Sequence, residues 1–215
     1  MTGLILLAAG ESSRMGEPKQ LLVFEGRTLL RRAAEEAMES GCQPVVVVLG
    51  ALADRMTAEL SDLPVRVVIN REWQEGLGGS IRAGMEALLA GPDGDLVDAV
   101  VMTLCDQPFC TAAVIRRLVA AQEQLNSPAV ASFYDGVRGV PALFGRSLFP
   151  ELLELRGPEG ARRILQRHAD ETLEVPFGDG AGDIDTPEDY AKAHHGDTEN
   201  TEVARRQANW WVREK

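Results

Sequence analysis

Short apolar runs alternate with amphipathic stretches along most of the chain. Residues 4–8, 44–49, 65–69, 97–103 and 129–133 are apolar at almost every position, as strands covered on both faces are. The segments between them, 28–40, 51–60, 79–90 and 111–125, have the length and spacing of helices. Thr28 and Thr111 are placed to cap them and Gly41 and Gly91 to stop them. A further strand is expected at 140–144, helices at 146–155 and 158–168, and a last strand near 173–175. The loop 177–185 then leads to a final helix opened by Thr186-Pro187, where proline suits the first turn. Strand–helix alternation of this kind predicts an α/β fold of three layers, αβα, around a mainly parallel, Rossmann-like sheet.

Composition narrows the class. A chain of 215 residues has room for one large domain, and 45% hydrophobic with 26% charged residues is ordinary for a soluble globular protein. We expect that domain over residues 1–194, followed over 195–215 by a polar tail, disordered or loosely docked, whose apolar feature is Trp210-Trp211. The net charge of −11 argues against nucleic acid as a partner, because non-specific binding to it needs a basic surface. No apolar stretch has membrane-spanning length and Met1-Thr2-Gly3 carries no basic leader, so a cytoplasmic, reducing setting is expected. Cys42, Cys105 and Cys110 form neither a zinc pattern nor a disulfide framework, and each is expected to be a buried small hydrophobe.

The densest chemistry follows the first strand, in Leu7-Ala8-Ala9-Gly10-Glu11-Ser12-Ser13-Arg14-Met15-Gly16-Glu17-Pro18-Lys19. Glycines let the main chain turn and approach a ligand, and consecutive amides of such a loop can cradle an anion. Arg14 offers a planar fork for phosphate oxygens and Lys19 a mobile point charge. The spacing fits neither the dinucleotide glycine pattern nor the Walker loop, whose lysine directly follows its second glycine. The plain alternative is an ordinary turn with two solvated cations.

A second candidate closes the strand at 97–103. Asp106 stands in Cys105-Asp106-Gln107-Pro108, and since Thr111 is the better cap for the next helix, Asp106 is left without a structural duty. A carboxylate at the same sheet edge as a cationic loop suits Mg²⁺, which binds proteins through one or two carboxylates and takes its other oxygens from phosphate and water. Asp183 and Asp185 flank Ile184 and point the same way in an extended segment. Either could complete such a site, with Asp185 preferred, or both could simply favour the positive end of the following helix. Gly76-Leu77-Gly78-Gly79-Ser80 opens another helix, where Ser80 could act as a cap, and Trp73 before it suits equally a stacking platform or the core. His168, His194 and His195 fall outside these motifs and take no role.

Taken together, these strings resemble a known family. The pattern of residues 7–19 resembles the N-terminal signature of the MobA-like nucleotidyltransferases, most closely their molybdenum cofactor cytidylyltransferase branch. The resemblance extends in order through Asp106, the segment Arg138-Gly139-Val140-Pro141 and the Asp-Ile-Asp-Thr-Pro-Glu-Asp string at 183–189. It implies the nucleotide-diphospho-sugar transferase type of fold and transfer of a nucleoside monophosphate onto a phosphorylated small-molecule acceptor, with release of pyrophosphate. Leu7, Ala8, Ala9, Gly10, Arg14, Lys19, Gly79 and Ser80 would bind the nucleotide, Arg14, Lys19 and Asp106 would be catalytic, Asp106 and Asp185 would hold Mg²⁺, and Gly139 and Pro141 would meet the acceptor. Ala9 stands where the family's cytidylyltransferases have alanine and its guanylyltransferases glycine, which favours CTP, with molybdopterin as acceptor and a molybdoenzyme or its maturation factor as protein partner. One departure stands out: Pro158 replaces the acid of the family's Gly-Asp-x-Gly-Ala-Arg stretch, which bears on the acceptor. A guanylyltransferase, a sugar-phosphate transferase, and an oxidoreductase or molybdoenzyme accessory protein reusing the fold are the alternatives.

Overall fold

Strand β1 (Thr2–Ala8) shows how the apolar runs organise the molecule. Leu4, Leu6 and Ala8 enter one hydrophobic core and Ile5 and Leu7 another, so the two-residue period of a strand buries both faces. The computed structural model describes residues 1–12, 18–178, 180 and 182–195; Arg14 and the expected tail beyond residue 195 lie outside the described residues.

After β1 a small antiparallel ribbon, β2 (Val23–Phe24) with β3 (Arg27–Thr28), leads into helix α1 (Leu29–Glu39). Then come β4 (Val45–Leu49), α2 (Ala53–Glu59), β5 (Arg66–Ile69), α3 (Leu77–Leu89), β6 (Ala99–Leu104), α4 (Ala112–Leu125), β7 (Ala129–Tyr134), β8 (Val137–Gly145), α5 (Phe149–Leu153), α6 (Arg162–Arg167), β9 (Thr172–Pro176) and α7 (Pro187–His195). The seven-stranded sheet has the order β5-β4-β1-β6-β8-β7-β9. It is parallel except at β8, which runs antiparallel to β6 and β7. Residues of α1, α2 and α4 share the core of Leu4 and Leu6; those of α3, α5 and α6 share that of Ile5 and Leu7. The three layers are those the sequence pattern predicts.

Local differences have local causes. The expected strand at 140–144 extends over Val137–Gly145 because Asp135 and Gly136, both at positive φ, form a tight hairpin that pairs Tyr134 with Val137. The expected helix at 158–168 shrinks to Arg162–Arg167 because Gly157-Pro158-Glu159-Gly160 interrupts it. Likewise 146–155 divides into a 3₁₀ turn, Arg146–Leu148, and α5. Thr28 caps α1 as expected, accepting the Arg31 amide at 3.2 Å, but Thr111 makes no side-chain cap: Glu36 of α1 accepts the Ala112 amide instead, at 2.6 Å. All three cysteines are free and buried, and burial pushes the Cys110 thiol up to about 12. Among the described residues no helix is long and apolar enough to cross a membrane.

The chain leaves β1 toward β4 on one side and returns to β6 on the other. The carboxyl ends of β1 and β6 therefore flank the switch point at which open α/β sheets bind ligands.

Candidate functional site

The exit of β1 presents unused main-chain donors. The amides of Ala9, Gly10 and Glu11 donate to no described residue, while the Ala9 carbonyl accepts the Ala51 amide at 3.2 Å. Such a run of free N–H groups is an anion-binding concavity. Lys19, at the start of a 3₁₀ turn (Lys19–Leu21), projects to the same place and donates from Nζ to Asp106 and, at 2.9 Å, to Asp185 Oδ1. Burial works against its charge, but the Asp106 carboxylate beside it and the hydrogen bonds to both acids outweigh that and hold the pKa above the usual lysine value. The other oxygen of Asp106, Oδ1, is buried and has no hydrogen-bond partner among the described residues.

Asp185 is held by the helix that follows it. Thr186 and Asp189 bond reciprocally, Thr186 N–H to Asp189 Oδ2 at 3.0 Å and Asp189 N–H to Thr186 Oγ1 at 3.2 Å, which is a capping box with proline at the first helical position. Hydrogen bonds from Thr186 keep the Asp189 carboxyl below its ordinary range. Asp189 thus performs the helix-end duty that could have occupied Asp183 and Asp185. Ile184 is fully buried beside Leu22, Phe24 and Leu29, and its amide donates to the Asp106 carbonyl at 2.9 Å, locking the two acid-bearing segments together.

Asp183 points to the same region but meets a different partner: Gln107 Nε2 donates to Asp183 Oδ1 at 2.9 Å and to the Val140 carbonyl at 3.2 Å. Burial raises the Asp183 pKa, and the charges of Asp106 and Asp185 add to the rise, against the opposing Gln107 hydrogen bond. Gln107 therefore ties the end of β6 to the β8 segment that carries Gly139 and Pro141. Gly139 itself makes room for the Tyr134 hydroxyl, which a side chain there would meet.

On the other flank Asn70 donates from Nδ2 to Ser80 Oγ at 3.0 Å and accepts the Glu72 amide. Helix α3 begins at Leu77, two residues before the expected start; its N-cap is Gly76 at φ +114°, and Ser80 is buried rather than capping. Trp73 packs against the core that contains Ala9 and sits so close to Gly50 that a Cβ there would lie 2.7 Å from the Trp73 Cβ and 2.9 Å from that of Ala9. The structure thus brings together Ala8, Ala9, Gly10, Lys19, Asp106 and Asp185 at one sheet edge, with Gly79 and Ser80 on one flank and Gly139 and Pro141 on the other. Leu7 is a core residue and Arg14 lies outside the described residues. Sequence reasoning passed over Gln20, Asn70 and Gln107; the signal available was their position, each beside or within a motif.

An unsatisfied buried carboxylate oxygen, next to an ammonium that bridges two acids, is a hard-oxygen donor set that fits a divalent cation of the Mg²⁺ type. Among the described residues no group of three or more acid, histidine or cysteine ligands forms a cage, so ligands from a substrate would have to complete the shell. A cavity of about 350 Å³ behind the β7–β8 hairpin, lined by Phe133, Arg138, Arg162 and Glu174, shares no residue with this cluster.

Known proteins resemble this chain in sequence and in fold. The MobA-like NTP transferase domain matches residues 4–172. Nicotine blue oxidoreductase of Paenarthrobacter nicotinovorans is 35% identical over 175 residues, 76% of this chain and 80% of its own length. Molybdenum cofactor cytidylyltransferase of Escherichia coli (strain K12) is 24% identical over 196 residues, 91% and 96% of the two chains. Among solved structures, Rv0371c of Mycobacterium tuberculosis H37Rv superposes with a TM-score of 0.78 at 26% identity, covering 90% of this chain and 97% of that one, and has also been solved as a manganese complex.

Proposed function

The chain belongs to the MobA-like NTP transferase family, and from that premise we propose that it transfers CMP from CTP onto a phosphate of molybdopterin. The observation that carries the reading is the convergence of the free β1-exit amides, Lys19 and two carboxylates at one switch point. In the reaction an acceptor phosphate oxygen forms a bond to the α-phosphorus, the bond from that phosphorus to the bridging β-phosphate oxygen breaks, and pyrophosphate leaves with the electron pair. No covalent enzyme intermediate is required. The protein must hold two mutually repelling anions in line and neutralise the charge that grows on the leaving group.

The amides of Ala9, Gly10 and Glu11 and the Lys19 ammonium would face the phosphates, with Arg14 assigned to them from the sequence. Asp106 and Asp185 would hold Mg²⁺, which when bound supplies electrostatic stabilisation at the phosphate oxygens. The Ala9 methyl, with Trp73 close to it across Gly50, would narrow the space for the base, which is the ground for preferring CTP. Gln107 and the β8 segment at Val140 would form the acceptor wall.

A second reading has one specific observation behind it: the 35% identity to an oxidoreductase. Hydride transfer does not call for a pair of metal-binding carboxylates bridged by a lysine, and this favours the transferase. Thermal shifts with CTP, GTP and a nicotinamide dinucleotide, each with and without Mg²⁺, separate the two. A ligand at 100 times its Kd adds about 2.7 kcal/mol. A Mg²⁺-dependent shift with CTP supports the proposal, and a shift with the dinucleotide alone overturns it.

A further inference from the structure

Gln20 is 1% exposed, and its carboxamide is spent entirely on the loop that leaves β1. Nε2 donates to the Ala8 carbonyl at 3.2 Å and to the Gly10 carbonyl at 2.6 Å. Oε1 accepts the Ser12 hydroxyl at 3.0 Å, and Ser12 Oγ in turn accepts the Lys19 amide at 3.0 Å. The assignment of the two amide atoms follows from their partners, since an oxygen in the place of Nε2 would face two carbonyls. Ser12 adopts φ +60°, a left-handed conformation unfavourable for a residue with a Cβ, and the two hydrogen bonds at its side chain hold it there.

The consequence lies in the peptide planes. In a trans peptide the C=O and the following N–H point in opposite directions. Turning the Ala8 and Gly10 carbonyls toward Gln20 aims the Ala9 and Glu11 amides away from it; Gly10 and Glu11 are exposed and Ala9 is buried. A loop free to relax would present carbonyl dipoles to an incoming anion as readily as amides. Through Ser12 the same carboxamide also fixes the main chain from which Lys19 projects.

We propose that Gln20 is the positioning residue of the phosphate site, orienting the β1-exit amides and anchoring Lys19 without itself touching the ligand. This rests on reading the β1 exit as the place of the triphosphate. The test is calorimetric binding of CTP, CDP, CMP and inorganic tripolyphosphate, with Mg²⁺, to the wild-type protein, Gln20→Met and Ser12→Ala. Wild-type affinity should climb with phosphate number. Gln20→Met should lose about 10–100-fold on CTP and tripolyphosphate, the scale of lost hydrogen bonds to a charged group, while CMP changes less than about threefold on the same grounds. A residue with only a structural role would lower all three nucleotides together, and that result overturns the proposal. So does wild-type affinity of Gln20→Met for tripolyphosphate, or failure of the wild-type protein to bind tripolyphosphate. If Gln20→Met does not fold, Ser12→Ala reads the same relay: a severalfold loss on tripolyphosphate with CMP unchanged supports it, and equal losses refute it. Wild-type binding of tripolyphosphate without binding of any nucleoside triphosphate would leave this inference standing and reject the nucleotide reading instead.

Discussion

The Lys19 ammonium lies 2.9 Å from Asp185 Oδ1 while also donating to Asp106, so a side chain from the β1 loop stands between the two acids that would share a divalent ion. Ammonium and metal therefore compete for the same oxygens until the phosphates of a nucleotide draw Lys19 away. Lys19→Ala should raise the affinity for Mn²⁺ in the absence of nucleotide, by about tenfold for each 1.4 kcal/mol of attraction removed. It should also lower turnover by about 10²–10³. Electron paramagnetic resonance of free Mn²⁺ during titration reads the first effect; weaker Mn²⁺ binding by the variant would contradict it.

Asp183 carries a cost when the site is empty. Its folded-state pKa is raised by burial and by Asp106 and Asp185, so folding is penalised once the group ionises. Stability is then lost as pH rises from the unfolded-state value through the higher folded one. Asp183→Asn keeps an oxygen for Gln107 to donate to and removes that penalty. Its melting temperature should exceed the wild-type value at pH 7 and match it near pH 3. Equal differences at both values would show that the charge is not the cause.

Gly84 tests how closely helix α3 lies on the sheet. Helix propensity alone favours alanine over glycine by about 1 kcal/mol. A Cβ at Gly84, however, would sit 2.8 Å from Ile5 Cγ2 and 3.0 Å from Val48 Cγ2, both stiff β-branched side chains. Overpacking should win, and Gly84→Ala should be destabilising by about 1–3 kcal/mol in chemical denaturation. A more stable variant would mean that the helix yields easily.

How far the chain could be read without its structure differs between these cases. β1, β4 and β6 were legible because strands covered on both faces have almost no polar positions. The three layers followed from the alternation of such runs with helices. Asp106 stood out as a charge just past the end of an apolar strand, and Lys19 as a cation in the glycine-bearing loop after β1. Gln20 did not, because nothing in the string Lys19-Gln20-Leu21 says that its amide turns back onto Ala8 and Gly10. The assignment of Asp183 to Gln107 and of Asp185 to Lys19 was likewise hidden, since it depends on the end of β6 meeting the approach to α7 across the length of the chain. The shortened α6 was readable in principle from Gly157-Pro158 and Gly160.

Pyrophosphate release from CTP, measured with Mg²⁺ and a molybdopterin acceptor for the wild-type protein and Asp106→Asn, tests the central claim most directly. The account gives release that requires both Mg²⁺ and acceptor and falls by about 10²–10³ in Asp106→Asn, with the variant still folded by circular dichroism. Release at the wild-type rate from folded Asp106→Asn, or none from the wild-type protein with any nucleoside triphosphate, would contradict it.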